Sequence, residues 1–253
     1  MPMIDVSRKG PIAIVRYDRG GKANALNLNA ITALTEVARS FEEDTETHVI
    51  VVTGTPTRFC AGVDLSDNEL WHQDADAVVR HHLMSKGGAM CNAWARLPQV
   101  TIAALEGPVI GGGAVLALSL DMRVMAADAR MRLPEVRLGL TLGWGGLPRL
   151  TALAGASRAK RILFADTEID AASAERWGLA DAMASPTEAL DTALSLAREI
   201  ALCPPLAMRL TKRAIDAQAD MSRYAHADAD QFFLARSIAE RARDEPIPAK
   251  DRG

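Results

Sequence analysis

Apolar positions along the chain recur with two periods, and each change of period marks an expected element. Residues 4–6 and 12–17 are apolar or alternating stretches parted by Lys9, Gly10 and Pro11, which predicts two strands. Residues 28–41 place Ile31, Leu34, Val37 and Ala38 on one helical face. Residues 48–54 hold a continuous apolar run closed by Gly54, the pattern of a parallel strand covered on both faces. A polar loop follows, then a helical stretch near 76–94 and further buried strands at 100–105 and 122–126. Strands alternating with helices through the first two thirds predict an α/β fold. From about residue 157 the pattern turns helical. Leu190, Leu194, Ala197 and Ala201 form one stripe, Pro204-Pro205 ends that helix, and two more helices are expected at 206–218 and 222–242. The division this implies is a core over residues 1–195 and a helical region over 196–253.

The composition narrows the class. A chain of 253 residues is one large domain, or a domain with an appendage, and buries roughly 70% of its unfolded surface without metal or disulfide staples. The formal charge of −3 gives no basic footprint for nucleic acid. The longest apolar stretch, residues 109–120, is too short to span a bilayer and contains Gly111, Gly112 and Gly113, so no membrane partner is expected. The N-terminus reaches Arg8 and Lys9 without an apolar core, so no signal peptide is read. Three scattered cysteines, Cys60, Cys91 and Cys203, suit a reducing compartment, and the expected location is cytoplasmic. The five histidines lack metal-ligand spacing, so no metal site is expected.

Three stretches bear on chemistry. Phe59 to Leu65 is a loop of small residues after a strand, with backbone N–H groups outside any ladder. Gly107 to Leu116 carries three glycines from a strand into an apolar helix, where free N–H groups stabilise negative charge developing on an oxygen. It lacks the Gly-Lys-Ser/Thr ending of a phosphate loop. Leu133 to Leu140 holds one carboxylate, Glu135, among apolar neighbours that raise its pKa. Alone, the first reads more readily as a plain loop, the second about equally as tight packing, and the third more often as a surface glutamate. Together they supply what enolate chemistry requires: two N–H donors for a thioester oxygen and one acid/base for the adjacent carbon.

These stretches, with Asn24-Ala25-Leu26-Asn27, Gly145-Gly146 and Arg149-Leu150, occur in an order that resembles the crotonase, or enoyl-CoA hydratase/isomerase, family. The resemblance implies a spiral of ββα units with a C-terminal helical trimerisation region, a homotrimer or hexamer, and an acyl-CoA thioester substrate. It implies no cofactor, since coenzyme A is part of the substrate. Carried over, the N–H groups of Val63 and Gly112 form the oxyanion hole. Ala61, Gly62, Val63, Asp64 and Leu65 hold the adenine end, Lys22, Ala23 and Ala25 lie along the CoA, and Glu135 is a catalytic glutamate.

The chain departs from the family where the hydratases carry a second glutamate. That position is Val115. Losing the group that positions water lowers a rate by on the order of 10²–10⁴, so an isomerase with one catalytic glutamate is the leading expectation. Hydratase or lyase chemistry on a special acyl group, and a non-catalytic acyl-CoA-binding protein, are the alternatives. Asp67, Glu69, His81 and His82 are candidate substitutes for the missing carboxylate. Trp144 stands where the family carries a small residue and is expected to wall the acyl pocket or to pack. The tail from 239 to 253 lacks the family's usual pattern, and Cys60 reads as a small buried residue.

Overall fold

In the computed structural model, which describes residues 3–71 and 76–220, the chain opens with a hairpin turned at Gly10, whose φ of 59° a side chain would resist. The turn lays β1 (Ile4–Lys9) antiparallel to β2 (Ile12–Tyr17), with Lys9 opposite Ile12 and Ile4 opposite Tyr17. The strands that follow are β3 (Val49–Thr53), β4 (Val100–Leu105), β5 (Pro108–Ile110), β6 (Met122–Ala126), β7 (Arg130–Arg132), β8 (Ile169–Asp170) and β9 (Ala182–Ala184). Six make one sheet in the order β1-β2-β3-β4-β6-β9, parallel from β2 onward. The other three make a smaller sheet, β5-β7-β8. Every residue of β3 and β4 is buried, as a parallel strand covered on both faces must be.

Helices α1 (Leu28–Ser40), α2 (Ala77–Ala95), α3 (Gly112–Leu118), α4 (Gly146–Ala154), α5 (Ala156–Phe164), α6 (Ala171–Arg176), α7 (Ala189–Ile200) and α8 (Pro205–Asp220) complete the described chain. Asn27 caps α1 by accepting from the Ala30 N–H, and Asp76 caps α2 through Val78 and Val79. These two helices pack on each other. The stripe Ala189, Ala193, Leu194 and Ala197 lays α7 over β3, β4 and β6. Polar ties fix the layers where apolar contact alone would let them slide. Asp121 accepts from the Thr101 N–H and hydroxyl and from Lys212 of α8. Arg123, buried, donates to Leu179, Leu120 and Asp181, fastening β6 to β9.

The α/β reading and the main helices hold. Strands β5, β7, β8 and β9 were not anticipated, because two or three residues cannot display a period and β9 reads only Ala-Met-Ala. The helical expectation after residue 157 is therefore corrected at β8 and β9. Residue 195, expected as a division, falls inside α7. The helix expected at 222–242 and the tail lie outside the described residues. Among the described residues no helix is long and apolar enough to cross a membrane, and no cluster of three metal-ligating side chains occurs.

Candidate active site

The site forms where the loop after β3 is stitched to the start of the smaller sheet. The Cys60 N–H donates to the Pro108 carbonyl and the Ile110 N–H to that of Cys60, at 3.2 and 2.9 Å. Gly62, at φ 88°, then turns the chain so closely against β5 that a Cβ there would meet the Ile110 oxygen at 2.8 Å. Leu26 docks alongside, its N–H donating to Gly62 (2.7 Å) and its carbonyl accepting from Asp64 (2.9 Å). Such a parallel bridge uses the residues on either side of Val63 and leaves the Val63 N–H without an acceptor among the described residues.

The second free N–H comes from α3. Gly111, at φ 50°, donates to the Arg132 carbonyl and bends the chain out of β5, and Gly112 begins the helix with no intrahelical partner for its own N–H. Glycine is required at 113, where a Cβ would lie 2.7 Å from the Cys60 oxygen. A Cβ on Gly62 would stand 3.5 Å from the Gly112 nitrogen, so the two loops touch. Val63 and Gly112 both line one cavity of about 230 Å³.

Glu135 opens a 3-10 turn, Glu135–Leu138, that follows Pro134 and closes on Gly139 in a left-handed conformation. Its Oε1 lies against Gly111, 3.1 Å from where a Cβ would stand. Its Oε2 is buried and has no hydrogen-bond partner among the described residues. Burial, reinforced by the charge of nearby Asp166 and opposed by the residue's own backbone N–H, pushes the carboxyl up to about 7. Asp166 is itself paired with Arg132 through two hydrogen bonds. Among the described residues Glu135 is the only ionisable side chain lining the cavity; the walls are Leu70, Trp71, Met84, Val115, Leu138 and Trp144, with backbone from the two loops.

The other expected positions divide. Ala61, Gly62 and Leu65 line the cavity, and Leu65 is exposed. Lys22 is exposed, its Nζ 3.5 Å from the Ser66 hydroxyl, and Ala23 accepts from the Ala61 N–H. Ala25 and Asp64 belong to the framework. The Ala25 carbonyl accepts from Tyr17 and Arg19, while the Asp64 carboxylate accepts from Ser66 and from Arg19 at 2.6 Å, which holds it down at about 2. None of Asp67, Glu69, His81 and His82 lines the cavity. Asp67 instead accepts from the Leu28 N–H at the start of α1. Val115 faces the cavity from α3. Cys60 is buried, its thiol pushed up to about 12, and acts as packing.

Sequence reasoning expected Trp144 as a wall of the pocket or as packing, and the indole does line the cavity, but it missed Trp71 and how each ring is held. Trp71 is fixed by its indole N–H on the Asp64 carbonyl (2.9 Å). Trp144 holds a left-handed backbone, φ 56°, that a bulky residue adopts only under constraint. The constraint is Arg149, buried, which donates to the carbonyls of Trp144 and Gly145 and to Asn92 of α2, each at 3.1 Å. One signal was available in the chain: Gly87-Gly88 in the middle of a helix, where glycine is disfavoured.

The chain belongs to the enoyl-CoA hydratase/isomerase family, whose model matches residues 7–249. It is 32% identical over 212 residues to the short-chain-enoyl-CoA hydratase of Clostridium acetobutylicum, covering 83% of this chain and 80% of that protein. It is 31% identical over 243 residues to the mitochondrial methylglutaconyl-CoA hydratase of Mus musculus, 94% of this chain and 76% of that one. Among solved structures, the enoyl-CoA hydratase of Bacillus anthracis superposes with a TM-score of 0.80 at 28% identity, covering 94% of this chain and 89% of that chain. The fold is thus that of the crotonases.

Proposed function

We propose that this chain holds the carbonyl oxygen of an enoyl-CoA thioester on the N–H groups of Val63 and Gly112 and moves a proton along the acyl chain with Glu135, shifting its double bond. Glu135 takes a proton from the carbon next to the thioester of a 3-enoyl-CoA. The C–H electron pair flows onto the carbonyl oxygen, giving a dienolate. Two preorganised donors stabilise that charge by about 3 kcal/mol each. The same carboxyl then returns the proton two carbons further on, the pair flows back, and the double bond comes to rest in conjugation. The observation that carries this reading is the solitary carboxyl with a buried, unpartnered oxygen beside two free N–H groups, in a wall where Val115 replaces a second acid. A carboxyl near pH 7 exists in both forms, as a group that both takes and gives a proton must.

A second reading is hydration, favoured by the names of the Clostridium acetobutylicum and Mus musculus relatives. It requires a water placed without a carboxylate at Val115. The two are told apart by supplying a 3-enoyl-CoA and a 2-enoyl-CoA separately. Double-bond migration makes the ultraviolet absorbance of the conjugated thioester grow from the first substrate. Hydration makes it fade from the second, with a product heavier by one water. Fading alone, at a comparable rate, would displace the first reading.

Lys22, Ala23 and the loop 61–65 are proposed to carry the CoA. The region after residue 196 is proposed to assemble trimers or hexamers, supported by Leu206, Leu210 and Ile215 exposed on α8; sedimentation giving a monomer would refute it.

A further inference from the structure

We infer that Trp144 sets the size of the acyl group: its indole closes the inner end of the cavity, so that short or flat uncharged acyl chains fit and long ones do not. The inference rests on the reading above for the direction in which the thioester enters.

The ring sits in a slot cut by two glycines. A Cβ on Gly112 would come 2.5 Å from its Cζ3, and a Cβ on Gly87 would penetrate the junction of its two rings. Gly87 belongs to α2 and Gly112 to α3, and these helices are in contact, so the indole stands where the interior begins. Leu65, which also lines the cavity, is exposed and so belongs to its mouth. The wall is also pinned. Arg149 holds the Trp144 and Gly145 carbonyls and reaches Asn92, so the backbone carrying the ring is tied to the helix the ring leans on. A Cβ on Gly146 would meet Val115 at 2.7 Å and Leu142 at 3.0 Å, so the start of α4 is packed tightly against another residue of the cavity wall. An aromatic face presented to a cavity favours planar, conjugated chains. A second carboxylate on the acyl group would be desolvated in this apolar wall beside Glu135, which disfavours it.

The test is calorimetric binding of butyryl-, hexanoyl-, octanoyl- and dodecanoyl-CoA to the wild-type protein, Trp144→Phe and Trp144→Ala, with free CoA as reference. In the wild type, affinity should fall roughly tenfold or more between butyryl and dodecanoyl. Trp144→Ala should abolish the fall, with Trp144→Phe between. Identical length dependence in all three proteins overturns the inference. Affinity rising steadily to dodecanoyl in the wild type overturns it as well, without recourse to any variant. If no thioester binds better than free CoA at any length, the functional reading falls and this assignment with it, a pattern distinct from length-independent binding.

Discussion

Glu135 titrates at about 7 because the turn behind Pro134 buries one carboxyl oxygen where no hydrogen bond from the described residues replaces the lost water. The sign of the resulting pH dependence follows. Free enzyme must present a carboxylate to abstract a proton, so kcat/KM with a 3-enoyl-CoA should rise through about pH 7 and then level. The carboxyl gives its proton back within the cycle, so it begins ionised in the reverse direction too, and kcat/KM with the conjugated isomer should rise through the same pH. Profiles that run in opposite directions would refute a single shared acid/base that takes and returns one proton. Asp166 helps to raise this pKa, so Asp166→Asn should move both midpoints to lower pH. Stability follows the same linkage. Between the ordinary value of 4.5 and about 7, the folded chain retains a proton that the unfolded chain releases. Stability therefore falls as pH rises across that window, by about 3 kcal/mol in all. Urea unfolding at pH 5 and pH 8 should show the loss in the wild type and a smaller one in Glu135→Gln.

At the scale of elements, α2 shows how a helix gives up intrinsic propensity to make room for a ring beside the cavity. Gly87 lies mid-helix, where alanine would be better by about 1 kcal/mol. Against the Trp144 ring, however, Gly87→Ala should destabilise by about 1–3 kcal/mol through overpacking. In a Trp144→Ala background the same change should become stabilising, and a double-mutant cycle by denaturant titration reads the reversal. The same pair shows what the chain makes legible. The runs in β3 and β4 announce buried parallel strands because every residue is apolar, and Asn27 announces the start of α1. Gly87-Gly88 announces only that something unusual happens in a helix, since its reason stands 57 residues later in Trp144. Likewise β7, Arg-Met-Arg, becomes a strand only because β5 and β8 flank it.

Over the whole molecule, the site draws on loops far apart in sequence, and the framework holds them in register. Three stretches were legible because glycines and a lone glutamate in apolar company each carry a local signal. Trp71 and Asn92 were not, and Arg149 was legible only by resemblance and not for its hold on Trp144, because their value lies in what they touch. The docking of α8 is equally tertiary: Lys212, buried, reaches Asp121 at 2.5 Å and the Gln99 carbonyl at 2.8 Å. Lys212→Ala should destabilise by about 3 kcal/mol by leaving Asp121 short of its partner, and amide exchange in α8 should quicken more than in α1. The central claim concerns what these supports hold together, two free N–H groups and one acid over a thioester. Its most direct test is hydrogen exchange in heavy water at the carbon beside the thioester of a saturated acyl-CoA, followed by mass spectrometry. The account predicts exchange by the wild type that slows on the order of 100-fold or more in Glu135→Gln; no exchange by the wild type, or equal rates in both proteins, would contradict it.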